Sequence, residues 1–432
     1  MKRRALVCVL LTACSEGPAP PLPVPEPTAP RRGRVERSQT VDTVLVTIET
    51  TRADRVGPLY GHPRDTFPKL SRRAASGRTY TRAFANSSWT LPSIASLYTG
   101  LSPIEHGVHR VDQQLPVEVS TLGEHLHAQG VQAAFFGVNP VFVVDRGLAD
   151  GFDHWQAEVG WSAGRLNQSA ISWLDQHRDV SKPLFLHIHY FDPHCPYIPP
   201  DAVQVWPALT PTGRAVPANR FDELGGCYGI SKPDGTPELD VDVYLDRYDR
   251  ELLAVDDQLD RLLTRLAERG VLGPEDRLIV TSDHGEAFWE HDDYGHSHTL
   301  WGETTHVPLI VWDASGEGVV QDPVGLADLF VGLRSPRGPV RPELHSAGIV
   351  QHTTAFGPEW TAAISASDKW MSDGTRVWTG SPTHDPLDTR VIEHDAAPPA
   401  MLRNARARAR SAPPLAPSDE ERELLRALGY SF

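Results

Sequence analysis

Positive charge is in short supply in this sequence: 41 Lys and Arg stand against 56 Asp and Glu, a formal net charge of −15. General nucleic-acid binding is disfavoured on that ground, because holding a polyanion by counterion release needs a basic surface. A small anionic substrate stays open, since a bound divalent cation dominates its local field whatever the global charge. Cysteine is scarce, at four residues. Cys8 and Cys14 belong to the N-terminal segment, so Cys195 and Cys227 are the pair that an oxidising compartment could join; sequence does not fix their separation. No stretch after the N-terminus approaches the ~20 apolar residues needed to cross a bilayer, and no internal repeat is present. Hydrophobic residues at 40% and charged ones at 22% of 432 residues argue against general disorder and supply one large or two modest cores.

Residues 1–14 begin with Met-Lys-Arg-Arg, continue with an apolar run from Ala5 to Leu11 and end in Leu11-Thr12-Ala13-Cys14, the order expected of a secretory signal. That ending resembles the lipobox of bacterial lipoproteins. The resemblance implies lipidation of Cys14 and a chain exported to the bacterial cell envelope, membrane-anchored through its lipid and facing the periplasm or the cell exterior. Residues 15–40 form a proline-dominated linker (PAPPLPVPEPTAPRR), which favours extended, semi-rigid geometry and builds no core. It reads as a stalk.

Short apolar runs rich in β-branched residues predict strands at Thr43–Ile48, Val131–Val138, Leu184–His189, Arg277–Thr281 and Val307–Trp312. Continuous apolar strands of this kind suit a parallel sheet covered on both faces. Leu245, Tyr248, Leu252, Val255, Leu259, Leu262, Leu263 and Leu266 recur at helical spacing, predicting a helix from about Tyr244 to a stop at Gly270. A second helix is expected over Leu166–His177. Strands alternating with helices define an α/β class, assigned to a main part over 41–333. A smaller C-terminal α+β part is expected over 334–432, with strands at Thr361–Ser365, Lys369–Met371 and Arg376–Trp378, a solvated connector from Arg403 to Arg410 and a terminal amphipathic helix, Asp419–Leu428.

Ligands of open α/β sheets bind beyond the carboxyl ends of the strands, and three polar clusters fall there. Thr43–Ile48 runs into Glu49-Thr50-Thr51-Arg52-Ala53-Asp54, and Arg277–Thr281 runs into Ser282-Asp283-His284-Gly285-Glu286. The strand ending near His187 and His189 is followed by Phe191-Asp192-Pro193-His194. Carboxylate and imidazole supply the oxygen and nitrogen ligands that hold zinc or manganese. A lone Asp-His pair is more often a helix cap beside a solvated histidine; the coincidence of clusters carries the inference. Thr90 stands just before Pro92, and proline is favoured in the first helical turn. A hydroxyl there meets free N–H groups and the positive end of a helix dipole, which stabilise an oxyanion. A plain threonine N-cap would look the same locally.

Taken together these segments resemble the sulfatase family within the alkaline-phosphatase superfamily. VDTVLVTIETTRADRVG is similar to the family's first strand and metal loop, and FANSSWTLPSIASLYTGLSPIEHGV to its nucleophile segment. KPLFLHIHYFDPHCPYIPP resembles the substrate-histidine segment, RLIVTSDHGEAFWEHDDYGH the second metal segment, and DEERELLRALGY a C-terminal ending common in bacterial members. The resemblance implies the fold of that superfamily: a mostly parallel sheet flanked by helices, with a smaller C-terminal α+β part. It implies that Glu49, Asp283 and His284 bind a divalent cation together with a nucleophile at Thr90. His194 and His296 would contact the anionic group, act on the leaving oxygen or hold a second cation. Asp192 and His189 are further candidates beside His194, a structural hydrogen-bonding role being as good a reading of His189, and His291 and His298 lie near the site in sequence.

Three departures from the family pattern shape the chemistry expected. Sulfatases carry Cys or Ser at the nucleophile position, within C/S-x-P-S-R, for conversion to formylglycine. Here Thr90 and Ile94 replace the nucleophile and the arginine, so formylglycine is not expected. Glu49 and Thr50 stand where sulfatases have Asp, a set that suits zinc or manganese better than calcium, though calcium stays possible. In this the site resembles bacterial phosphoethanolamine transferases and related phosphodiesterases. Gly137-Val138-Asn139 replaces a sulfate-gripping lysine and histidine. The expectation is therefore a metal-dependent hydrolase of an anionic ester on a small molecule, glycan or lipid head group, with phosphoester favoured. Sulfate-ester hydrolysis, an envelope phosphoethanolamine-type transfer and a non-catalytic binding protein are the alternatives.

Overall fold

The computed structural model of the chain describes residues 41–432 apart from 201–205, 207–210, 218–228, 343–347, 355–357, 394–396, 416–417, 420–421 and 424–432. The signal and stalk at 1–40, and most of the expected terminal helix, lie outside the described residues. No helix among the described residues is long and apolar enough to cross a membrane.

Strands form where the apolar runs lie. In chain order they are β1 (Thr43–Ile48), β2 (Arg78–Phe84), β3 (Gln132–Val138), β4 (His154–Glu158), β5 (Leu184–Tyr190), β6 (Arg277–Thr281), the hairpin β7 (Ala287–Phe288) and β8 (Tyr294–Gly295), then β9 (His306–Trp312), β10 (Gly318–Val320) and β11 (Val324–Gly325). The main sheet has the order β10-β2-β9-β6-β1-β5-β3-β4, with β11 also on β2. β1, β5, β3, β4 and β6 pair in parallel, and β9 alone runs antiparallel, between β2 and β6. Of the main-sheet strands absent from the sequence expectation, β10 and β11 are only three and two residues long, and β2 and β4 lie toward the sheet margins. β4 is half-buried along its length and β2 reads Arg-Thr-Tyr-Thr-Arg-Ala-Phe, so neither carries the apolar run of a strand covered on both faces.

Alternate residues of β1 serve opposite faces. Val44, Val46 and Ile48 join a core with the helices α2 (Ala163–His177) and α3 (Val241–Glu268). Leu45 joins the core on the other face with α1 (Thr90–Thr99). The eight apolar residues that predicted α3 are all buried in the first core, each such side chain contributing roughly 1.5–3 kcal/mol of transfer free energy.

After this sheet, β12 (Ile349–Thr353), β13 (Trp360–Ile364), β14 (Lys369–Ser372), β15 (Val377–Gly380) and β16 (Ile392–Glu393) make an antiparallel sheet in simple order. The arginine-rich stretch expected as a solvated connector is instead mostly helix, α4 (Ala400–Ala407), with Leu402 and Ala405 buried. Helical spacing puts those two on one face, and Arg408 pairs with Glu105 at 2.6 Å. The connector reading followed charge and overlooked that apolar face.

Candidate active site

Glu49 follows β1 directly, its N–H bonded to Tyr190 O of β5 at 3.0 Å, and Asp283 and His284 follow β6 next to it. Thr90 is the first residue of α1, whose N-cap residue Trp89 is in extended conformation. First-turn N–H groups of a helix have no intrahelical acceptor, so the Thr90 hydroxyl stands at an electropositive end. The four side chains meet. Thr90 Oγ1 donates to Glu49 Oε1 at 2.9 Å and lies 3.3 Å from His284 Nε2. Asp283 Oδ2 is 3.4 Å from His284 Nε2, and all four residues are wholly buried.

Glu49, Asp283 and His284 each turn a ligand atom inward, all within 4.8 Å of one another. His284 Nδ1 lies 2.9 Å from Gly285 O; donating there leaves the Nε2 lone pair facing the carboxylates. Asp283 Oδ2 is buried with no hydrogen-bond partner. Burial pushes the Asp283 carboxyl above its ordinary range, with the Glu49 charge adding to the rise against the pull of His284. Burial also pushes Glu49 up, but its bond to His189 and the charges of His189, His194 and His284 outweigh this and hold it at about 2. Two buried carboxylates with one orphaned oxygen are costly without a cation between them, so these residues fit a divalent metal.

His296 Nδ1 lies 2.9 Å from Glu286 Oε1, and Tyr197 OH donates to Glu286 Oε2 at 2.9 Å. Its ring lies 4.5 Å from that of His284 and 5.0 Å from that of His194. Burial raises Glu286 to about 7, against the pull of His194, His284 and the Tyr197 bond. Burial, then His284 and His194, pushes His296 well below the usual imidazole range.

Comparison with known proteins identifies the family. The family model described as Sulfatase matches residues 42–333, across both metal-loop segments and the Thr90 helix. The chain belongs to the sulfatase family. It is 22% identical over 365 residues to the uncharacterized sulfatase YidJ of Escherichia coli (strain K12), covering 70% of this chain and 68% of that one. In structure it is similar to a phosphonate monoester hydrolase of Agrobacterium radiobacter, at TM-score 0.63 and 18% identity over 85% of this chain and 93% of the other. It is equally similar to a 2-O GAG sulfatase, at TM-score 0.63 and 15% identity over 82% and 87% of the two chains. The family and fold expected from the motifs are those found, and this sulfatase-family chain is an ester hydrolase.

Asp192, His291 and His298 are engaged elsewhere in the sulfatase fold, whereas His189 supports Glu49. Asp192 Oδ2 accepts the Ala163 N–H at 3.1 Å, placing the carboxylate on the N-terminus of α2. His291 stacks on Trp301 at 4.1 Å and lies 2.8 Å from Glu303 Oε1. His298 is 3.1 Å from Asp293 Oδ1. His189 bridges Glu49 Oε2 at 2.9 Å and Thr47 Oγ1 at 2.7 Å. Cys195 is buried and disulfide-bonded; Cys227, the partner considered for it, lies outside the described residues.

One contact was missed as a contributor. Asn139 Nδ2 donates to Glu49 Oε1 at 2.8 Å and Oε2 at 2.9 Å, and lies 3.4 Å from Thr90 Oγ1. Its Oδ1 accepts the Val141 N–H at 2.9 Å, so the amide can face Glu49 only with its NH2 group. The signal was its place directly after β3, a fourth strand end at the same rim.

Proposed function

We propose that this sulfatase-family hydrolase cleaves a phosphoester through Thr90. The reading rests on one observation: the Thr90 hydroxyl, at a helix N-terminus, lies within hydrogen-bond reach of Glu49 and close to His284. Threonine is not converted to formylglycine, so the nucleophile is the side chain as encoded. Glu49, Asp283 and His284 would hold the cation, and their mixed oxygen and nitrogen set suits zinc or manganese. When bound it supplies positive charge that favours the ionised hydroxyl and neutralises charge gathering on the ester oxygens.

Thr90 Oγ, ionised with its proton released to solvent, attacks phosphorus in line with the leaving oxygen; the new O–P bond forms as the bond to the departing alcohol breaks, giving a phospho-threonine. N–H groups of the first turn of α1 face the developing negative charge. His194 gives the leaving oxygen its proton, and His296, which burial holds well below the usual imidazole range, contacts the anionic group. Water then attacks the same phosphorus, His194 takes its proton, and Thr90 is regenerated. Sulfate-ester cleavage is the second reading, favoured by the equal structural likeness to a 2-O GAG sulfatase. Lipid anchoring at Cys14 and export belong to the proposal and are supported by the N-terminal residues alone.

The test is turnover of aryl phosphate monoesters, diesters, phosphonates and sulfates with defined zinc, manganese or calcium. Preference for phosphorus esters, lost in Thr90→Ala, is expected; preference for sulfates would transfer the assignment to the second reading. No turnover by either enzyme, with no metal bound, overturns both.

A further inference from the structure

Glu49 is one end of a buried line of hydrogen bonds that returns to the helix carrying Thr90. Glu49 Oε2 lies 2.9 Å from His189 Nε2, and His189 Nδ1 lies 2.7 Å from Thr47 Oγ1. Thr47 Oγ1 lies 2.9 Å from His187 Nε2, and His187 Nδ1 lies 2.5 Å from Tyr98 OH. Tyr98 belongs to α1, which starts at Thr90. The sheet register sets up the line: Thr47 of β1 stands opposite His189 of β5, and Leu45 opposite His187, so the two imidazoles flank one hydroxyl on the same face. Thr47, Tyr98, His187 and His189 are all buried, and Phe135 and Phe142 pack edge-on against His187 and His189 at 5.2 and 4.9 Å.

An ionised Glu49 only accepts, so His189 donates to it from Nε2. The Thr47 hydroxyl carries one hydrogen and lies between two ring nitrogens, so it donates to one imidazole and accepts from the other. Burial pushes His187 well below the usual imidazole range, so one of its nitrogens donates and the other accepts, and the Thr47 and Tyr98 hydroxyls take the complementary roles.

We propose that Tyr98, His187, Thr47 and His189 are positioning residues that fix Glu49 for its cation and lock both ends of α1 to the site. The proposal rests on the cation reading above. Partners that orient a metal ligand typically change affinity by roughly 10–100-fold when removed.

Thr47→Val is the decisive variant, because valine keeps the shape and lacks the hydroxyl. Zinc and manganese dissociation constants, measured by chelator competition on the full chain, are expected to rise about 10–100-fold in Thr47→Val and to stay within about threefold of wild type in Thr47→Ser. Tyr98→Phe, at the far end, tests the line without touching β1 and is expected to weaken binding in the same direction. Unchanged affinity in both Thr47→Val and Tyr98→Phe, with wild type binding metal, overturns the relay alone. A wild-type chain that binds neither metal overturns the cation reading and the relay with it.

Discussion

Asn139 grips both carboxylate oxygens of Glu49, at 2.8 and 2.9 Å, while its own carbonyl is held by the Val141 N–H. The amide therefore holds the Glu49 carboxylate in one orientation. Asn139→Ala is expected to weaken zinc or manganese binding roughly 10–100-fold. Asn139→Asp would face Glu49 with a like charge and raise its pKa. Competition with a chelator measures the first, and proton release on metal addition the second.

Thr90→Ala is expected to cut phosphodiester turnover by roughly 10³-fold or more, since loss of a nucleophile leaves only binding and charge stabilisation. Thr90→Ser, which keeps the hydroxyl, should retain part of it. Burst kinetics with an aryl ester, followed by mass analysis of the quenched enzyme for phosphate on residue 90, tests the intermediate directly.

Metal binding should stabilise the fold, because Asp283 Oδ2 is orphaned beside Glu49. At a hundredfold excess over the dissociation constant, the gain is about 2.7 kcal/mol. Melting temperature should rise with zinc or manganese, fall on chelation and lose its metal dependence in Asp283→Asn.

Glu251 predicts a pH effect away from the chemistry. Burial, with Asp192 nearby, raises its carboxyl to about 8 from an ordinary 4.5. The folded protein thus binds more protons than the unfolded chain between those values. The contribution of Glu251 is fully present below pH 4.5 and is lost as pH rises toward 8. The loss runs at roughly 1.4 kcal/mol per pH unit, an upper bound for a group that can relax. Glu251→Gln should match wild type at pH 4.5 and exceed it increasingly toward pH 8, as urea unfolding at both ends would show.

Asp192→Ala should cost about 1 kcal/mol by removing the acceptor at the start of α2. Its KM for aryl phosphodiesters is the separating measurement. Unchanged KM leaves Asp192 a helix cap, whereas a marked rise would return it to the substrate.

Local pattern in the sequence already determined a good deal. The runs at Thr43–Ile48 and Arg277–Thr281 are strands at those bounds, and the α3 apolar residues face one core. Each of these follows from burial and periodicity within one segment. Family motifs likewise marked Glu49, Thr90, Asp283 and His284, which meet in one buried cluster. The margin strands β2 and β4, and the apolar face of α4, were hidden because mixed polar sequence carries little periodic signal.

Tertiary structure alone decided which polar groups touch. Asn139 and Glu49 are 90 positions apart, Tyr98 and His187 are 89 apart, and no spacing rule links such pairs. Whether a histidine such as His291 or His189 reaches the site depends on strand register and on neighbours from other segments. A hydrogen bond is decided over a few tenths of an ångström, a scale that residue type and order do not encode until the chain has folded.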